Sequence, residues 1–204
     1  MEHEINFWRE FVKTDRFLKG WCSNEKTPEL NDIVYNFLKE RPEANVLDVG
    51  SGVVSLLHGT VPSDKLTAYD PLAIEYRAIF DYKGIKKPLA VMAESMVDRG
   101  RYDIVHISNA IDHTQDPLKA YDNLFRAVKP GGFLIVQGFV NEGTHENWSG
   151  FHQWDIDIDN RNYLTLEKDG LVSVIAKKPY FATKIHIEML GREWLIWIAQ
   201  KPTA

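Results

Sequence analysis

Several things are scarce in this chain, and each scarcity closes a line of explanation. Among 204 residues there is one cysteine, Cys22. A lone thiol rules out an internal disulfide framework and suits a reducing compartment. No run comes near the roughly 18 consecutive apolar residues of a membrane-spanning helix. The opening Met1-Glu-His-Glu-Ile-Asn lacks the basic-then-apolar pattern of a signal peptide. A cytoplasmic protein with no membrane partner is therefore expected. Basic clusters are also missing. The formal net charge is −5, and the nearest thing to a basic patch is Lys83, Lys86 and Lys87, which reads as a solvated loop face. No nucleic-acid partner is expected from such a pattern. Repeats and low-complexity linkers are absent, and the length suffices for one domain with a real core.

What is present centres on Asn45-Val-Leu-Asp-Val-Gly-Ser-Gly-Val-Val-Ser-Leu-Leu57. A short apolar run reaches Asp48, two glycines follow, and then an apolar pattern of helical period. This is the form of a buried strand, a tight turn and a helix start. Gly50 and Gly52, flanking Ser51, can take left-handed backbone angles and carry no Cβ to hold a ligand away from the main chain. The first glycine-rich turn of an open parallel sheet is where nucleotide-like cofactors bind, against backbone N–H groups at a helix N-terminus. A full dinucleotide fingerprint would need a third glycine at position 55, where Ser55 stands. Lys65-Leu-Thr-Ala-Tyr-Asp70-Pro71 then reads as a second strand ending in an acid about 20 residues after the first. In nucleotide-binding sheets an acid there accepts hydrogen bonds from ribose hydroxyls, while as a plain structural feature Asp70-Pro71 would start a turn and a helix over 72–81.

Taken in order, Phe7, Trp8, Phe11, Phe17 and Leu18 predict a helix over 5–20 stopped by Gly20. A second helix is predicted over 28–40, with Thr27 as N-cap and Pro28 at its first position. Packing is the first reading of the N-terminal aromatics, and a lid over the cofactor pocket is the second. Further strands are expected at 88–92, 102–109 and 133–139, with a helix over 117–128. That alternation predicts an α/β, doubly wound parallel sheet. Lys168-Asp169-Gly170 and Leu190-Gly191-Arg192-Glu193 mark two hairpins, the second of which, with strands over 181–189 and 194–200, would complete a seven-stranded sheet whose last strand is antiparallel.

Five segments at matching spacing carry a resemblance. Val46-Leu-Asp-Val-Gly-Ser-Gly52, Tyr69-Asp70-Pro71, Ala93-Glu94-Ser95, Tyr102-Asp-Ile-Val-His-Ile-Ser-Asn109 and Val128-Lys-Pro-Gly-Gly-Phe-Leu134 resemble the class I S-adenosylmethionine-dependent methyltransferases. Phe7-Trp8, Asn109-Ala-Ile-Asp112-His113 and His152-Gln153-Trp154 extend the likeness to a bacterial subgroup associated with surface-polysaccharide biosynthesis. The resemblance implies a three-layer Rossmann-like domain over 1–204: helices in 1–43, a cofactor core in 44–140, an acceptor loop and β-rich insertion in 141–180, and terminal strands in 181–204. It implies S-adenosyl-L-methionine as cofactor, with S-adenosyl-L-homocysteine as product. Gly50, Ser51 and Gly52 would meet the amino-acid part of that cofactor, with Asp48 near its ammonium. Asp70, followed by Pro71, would hold the ribose. Ala93 and Glu94 would flank the adenine, and Ser108 and Asn109 would line the space beside the sulfonium. Val54 stands where a third glycine is frequent, and Met92 where many members have an acid.

A hydroxyl acceptor needs a base, and histidine suits that work near neutral pH. His113 and His152 lie on the carboxyl side of the predicted strands and are the candidates. His106, inside a strand, reads as a packed core residue. The loop 141–160 is long for such a link, and long loops of this kind are often functional. Its Glu142, Trp148, Gln153 and Trp154, together with Asp112, suit a sugar or another small polar or glycan acceptor. Asp155, Asp157 and Asp159 alternate along an apparent strand and read as a solvated face, so no metal is expected. A nicotinamide-linked oxidoreductase and a non-catalytic S-adenosylmethionine-binding protein stay open as alternatives. So does a homodimer.

Overall fold

The computed structural model describes residues 2–176 and 178–203. Contacts gather into two compact units, one running to Met92 and the other starting at Ala93.

In the first unit α1 (Glu2–Phe11) is followed by a π-helical turn (Arg16–Trp21). The predicted single helix is thus broken, and Gly20 lies inside the second piece rather than ending it. Helix α2 (Asp32–Lys39) starts four residues later than predicted. Its cap is Asn31, whose Oδ1 accepts the Ile33 N–H at 2.8 Å, not Thr27, whose buried hydroxyl finds no partner. Strands β1 (Val46–Val49) and β2 (Leu66–Tyr69) pair in parallel, Asp48 opposite Ala68. Every β1 residue is buried, as an apolar run covered on both faces requires.

No helix follows the glycine turn; residues 53–61 form a succession of turns. Ser55 explains part of this, because its hydroxyl donates to Asp48 and accepts the Leu57 N–H. Such local side-chain bonds compete with the helical ladder. The predicted helix 72–81 shortens to α3 (Ala73–Tyr76). The predicted strand 88–92 shrinks to one bridge, Tyr69 with Leu89. Pro88 has no N–H to extend it, and Leu89 and Met92 are both exposed. The core of this unit joins Trp8, Val12 and Phe17 to Val53, Val54, Leu72, Tyr76 and Tyr82.

In the second unit β3 (Tyr102–Ser108) and β4 (Val128–Phe139) pair in parallel around α4 (Pro117–Ala127). This helix matches its prediction, with Asp116 capping Lys119 N–H and Pro117 at the first turn. After α5 (Glu142–His145) come β5 (Asp155–Ile158), β6 (Leu164–Lys168) and β7 (Leu171–Ala176). They form a separate antiparallel sheet in that order. Asp169 and Gly170, with φ of 54° and 77°, make the two-residue turn that the twist of a hairpin favours. Strands β8 (Phe181–Ile187) and β9 (Arg192–Gln200) form the last hairpin, and β9 lies antiparallel to β4. Among the described residues the Rossmann-like pattern therefore has six strands rather than seven: β2-β1 in the first unit and β3-β4-β9-β8 in the second. No described helix is long and apolar enough to cross a membrane.

Candidate functional site

The glycine loop is held from within. Gly50 and Gly52 have φ of 67° and 66°, the left-handed region open to glycine. The N–H groups of Gly50 and Ser51 both donate to Tyr69 O, at 2.8 and 3.1 Å, and Gly52 N–H donates to Asp70 Oδ2 at 2.9 Å. Asp70 Oδ1 accepts the Leu72 N–H at 2.9 Å, and the Tyr76 hydroxyl also reaches this carboxylate. A carboxylate offers about four lone-pair positions; three are taken, which leaves room for one more donor. Burial pushes Asp70 up from 3.8 to about 6, against the pull of the Leu72, Gly52 and Tyr76 hydrogen bonds, with the Glu4 charge adding to the rise. Asp48 is buried and accepts from Ser55 Oγ at 2.6 Å. Pro71 is exposed at the mouth of the turn.

Trp8 completes this half. A Cβ added at Gly52 would stand 2.4 Å from the Trp8 ring, and the indole N–H donates to Glu4 at 2.9 Å. The N-terminal helix thus lays Trp8 on the glycine loop, the packing role that is the first reading of these aromatics. The place of Trp8 against Gly52 in particular had no sequence signal. Trp8 fills the Cβ-free face of Gly52, and what the loop leaves open is one acceptor position on Asp70, of the kind a ribose hydroxyl could use. Its own N–H groups are committed elsewhere.

In the second unit Ala93 and Glu94 sit in a short 3₁₀ turn. Ala93 O accepts from Asn123 Nδ2 at 3.0 Å, and Glu94 Oε1 accepts the Gln115 N–H at 2.8 Å. Ser108 ends β3 half-buried. Asn109 follows with φ of 46°, a conformation asparagine tolerates better than most residues. Its Oδ1 turns back to accept the Phe139 N–H, so this side chain fastens β3 to β4.

The 3₁₀ turn Ile111–His113 and the loop at His152 meet across 40 positions of sequence. His152 Nδ1 lies 2.8 Å from Asp112 Oδ2 and 3.2 Å from His113 Nε2; His113 Nε2 lies 3.5 Å from the same Asp112 oxygen. Asp112 is 2% exposed, His113 and His152 23% and 22%. A carboxylate accepts only, so the Asp112 contact fixes the His152 hydrogen on Nδ1 and leaves Nε2 with its lone pair. Burial opposes protonation of His152, but the Asp112 hydrogen bond and the Asp112, Glu142 and Glu146 charges outweigh it and raise its pKa. Gln153 and Trp154 act as ties: Gln153 N–H donates to Asp112 O at 3.1 Å, and Trp154 Nε1 to Thr114 O at 3.0 Å.

Glu142 is buried and meets Arg192 at 2.6 Å. Burial raises its pKa, with Arg192 pulling the other way. Arg192 was legible only as part of a hairpin turn. Trp148 packs its ring on Gly143, where a Cβ would meet it at 2.7 Å, and is 45% exposed. Asp155 accepts from Thr144, Asp157 pairs with Lys184 at 3.0 Å and Asp159 with Arg161 at 2.9 Å. These three acids are thus engaged singly and do not gather. His106 is fully buried and bonded to Gln137 at 2.9 Å, the core role expected of it.

The chain as a whole resembles known proteins. Residues 24–200 match the model of a methyltransferase domain family. A malonyl-[acyl-carrier protein] O-methyltransferase of Hahella chejuensis is 26% identical over 147 residues, covering 69% of this chain and 52% of that protein. The chain spans about half the length of such curated relatives. Among solved structures, the N-methyltransferase NodS of Bradyrhizobium japonicum in complex with S-adenosylhomocysteine superposes with a TM-score of 0.55 at 15% identity, over 89% of this chain and 95% of that one. A Burkholderia thailandensis 1,6-didemethyltoxoflavin N1-methyltransferase with S-adenosylhomocysteine bound gives 0.52 at 16% identity, over 98% and 89%. These likenesses support the fold.

Proposed function

Since this chain belongs to the methyltransferase domain family, we propose that it is an S-adenosylmethionine-dependent enzyme that methylates an oxygen of a small polar acceptor, a sugar or glycan precursor foremost. The observation that carries the oxygen-directed reading is the Asp112–His152 contact. S-adenosylmethionine, when bound, supplies a methyl group already activated on a sulfonium. The protein's remaining tasks are to align the acceptor and to take its proton. Asp112 holds His152 in the tautomer that leaves Nε2 free as a base and steadies the imidazolium that results, as a buried aspartate does for a catalytic histidine elsewhere. His113 Nε2 lies against the same two atoms, His152 Nδ1 and Asp112 Oδ2. Asp70, with its one free acceptor position, takes a ribose hydroxyl. Exposed Trp148 offers a flat apolar face of the kind sugar rings stack on. Family membership speaks against the nicotinamide-linked alternative, and the resemblance of the Asn109–His113 and His152–Trp154 segments to the polysaccharide subgroup favours a glycan-related acceptor.

The test has two stages. Calorimetric titration with S-adenosylmethionine and S-adenosylhomocysteine should show micromolar binding, weakened by about 1–3 kcal/mol in Asp70→Ala. Transfer of labelled methyl to a panel of sugar nucleotides and glycans should then fall about 10²–10⁴-fold in His152→Gln. A folded wild type that binds neither compound would overturn the methyltransferase reading. Labelled acceptor formed equally well by His152→Gln would overturn the base assignment alone.

A further inference from the structure

We propose that Asp112, His113 and His152 form a binding site for a first-row divalent transition ion, zinc above all, and that the ion and the base role of His152 exclude one another. The metal site stands on geometry alone; its effect on activity rests on the methyltransferase reading.

Three potential ligand atoms converge: Asp112 Oδ2, His113 Nε2 and His152 Nδ1, with separations of 2.8, 3.2 and 3.5 Å. Ligands about 2.0–2.1 Å from a tetrahedral zinc stand about 3.3–3.4 Å apart, from those bond lengths and the tetrahedral angle. The triangle therefore has nearly the dimensions of one face of a coordination shell. Hydrogen bonding alone satisfies it poorly. The Nδ1 hydrogen of His152 points at Asp112, so a second hydrogen on His113 Nε2 would face it across 3.2 Å. His113 must then present a lone pair, and two acceptors crowd one hydrogen. A cation at the centre would serve all three atoms at once.

The donor set selects the ion. Two imidazole nitrogens and one carboxylate oxygen suit zinc and its first-row neighbours, whereas magnesium and calcium prefer oxygen alone. Three protein ligands leave a position open, the pattern of an accessible zinc rather than a closed structural one. Partial exposure of both histidines gives the ion a way in. The ligands are also pre-placed. Asp112 and His113 share one 3₁₀ turn, and the Gln153 and Trp154 ties hold the His152 loop against it.

The exclusion follows from the ring. An imidazole that gives its Nδ1 lone pair to an ion carries its hydrogen on Nε2. The nitrogen assigned as base then becomes a donor and can no longer take a proton from an acceptor. Zinc should therefore inhibit methyl transfer, and a chelator should restore it.

The experiment uses chelator-treated full-length protein, titrated with zinc chloride by calorimetry and with cobalt chloride by visible absorbance. We expect one ion per chain with micromolar or tighter affinity and the cobalt bands of a low-coordinate site. Asp112→Asn, His113→Gln and His152→Gln should each weaken zinc binding by at least about tenfold, since even outer-shell changes reach that size. His186→Gln, at an exposed position on β8, should not. If thermal melts show that Asp112→Asn fails to fold, the two histidine variants decide. Binding no tighter than millimolar, or equal losses in His186→Gln and the three ligand variants, would overturn the site. Tight binding without inhibition of methyl transfer would overturn the exclusion. S-adenosylhomocysteine affinity, measured in the same samples, reports separately on the methyltransferase reading.

Discussion

The glycine loop of the first unit and the histidine cluster of the second solve opposite problems. In the loop each of these donors has an acceptor: Gly50 and Ser51 on Tyr69 O, Gly52 and Leu72 on Asp70, Ser55 on Asp48. In the cluster three polar atoms face one point with one hydrogen among them. A self-satisfied loop keeps its shape without a ligand and offers shape more than hydrogen bonds. A convergent cluster is left wanting a proton acceptor's partner or a cation, which is where reactivity comes from. The loop and the three-residue cluster should accordingly respond differently to substitution, the loop in stability and the cluster's histidines in chemistry.

Four measurements can break or sharpen that contrast. Arg192→Met should have the largest effect on stability, about 3–5 kcal/mol by denaturant unfolding, because it leaves the buried Glu142 carboxylate unpaired. Such a loss would show that the cluster's surroundings, unlike its histidines, carry structural weight. Gly52→Ala should cost about 3 kcal/mol, combining a left-handed alanine with a collision against the Trp8 ring. A near-neutral result would mean that Trp8 swings away freely.

Asp70 gives a pH signature. Its folded pKa of about 6 lies above the ordinary 3.8, so between those values the folded state binds more protons than the unfolded. Stability must then fall as pH rises from about 4 to 6 and level off above, by on the order of 2–3 kcal/mol at about 1.4 per unit. Asp70→Asn should flatten that part of a stability–pH profile; an unchanged slope would locate its source elsewhere. The smallest effect is expected from His152→Gln, about 1 kcal/mol or less in unfolding, since the ring is half-buried and glutamine can still donate to Asp112. A larger loss would make the cluster structural and shrink the contrast.

Much of the fold was legible because its signals are local. An apolar run ending at Asp48, an acid with a proline at the first turn of α4, and Asp169-Gly170 between two β-rich runs each act within a few residues, and each predicted element formed. The misses have local causes too. Ser55 turned its hydroxyl onto the backbone where a helix was predicted, a local bond that competes with the helical ladder. Asn31 outcompeted Thr27 as cap. Pro88 and an exposed edge reduced a strand to one bridge.

For the site, sequence determined the residue types and their order: the glycine pair, the two acids at strand ends, and His113 and His152 as the histidines worth attention. The methyltransferase family was legible as a resemblance carried by five segments, and the match of residues 24–200 to the family model shows it. Tertiary structure decided which of those groups face one another. It brought Asp112 and His152 to 2.8 Å, laid Trp8 on Gly52, and joined Glu142 to Arg192 across 50 positions. The physical reason is one of range. Turn chemistry and hydrophobic period act over a few residues and can be read along the chain, whereas hydrogen-bond direction and charge pairing depend on distances that only the packed chain sets.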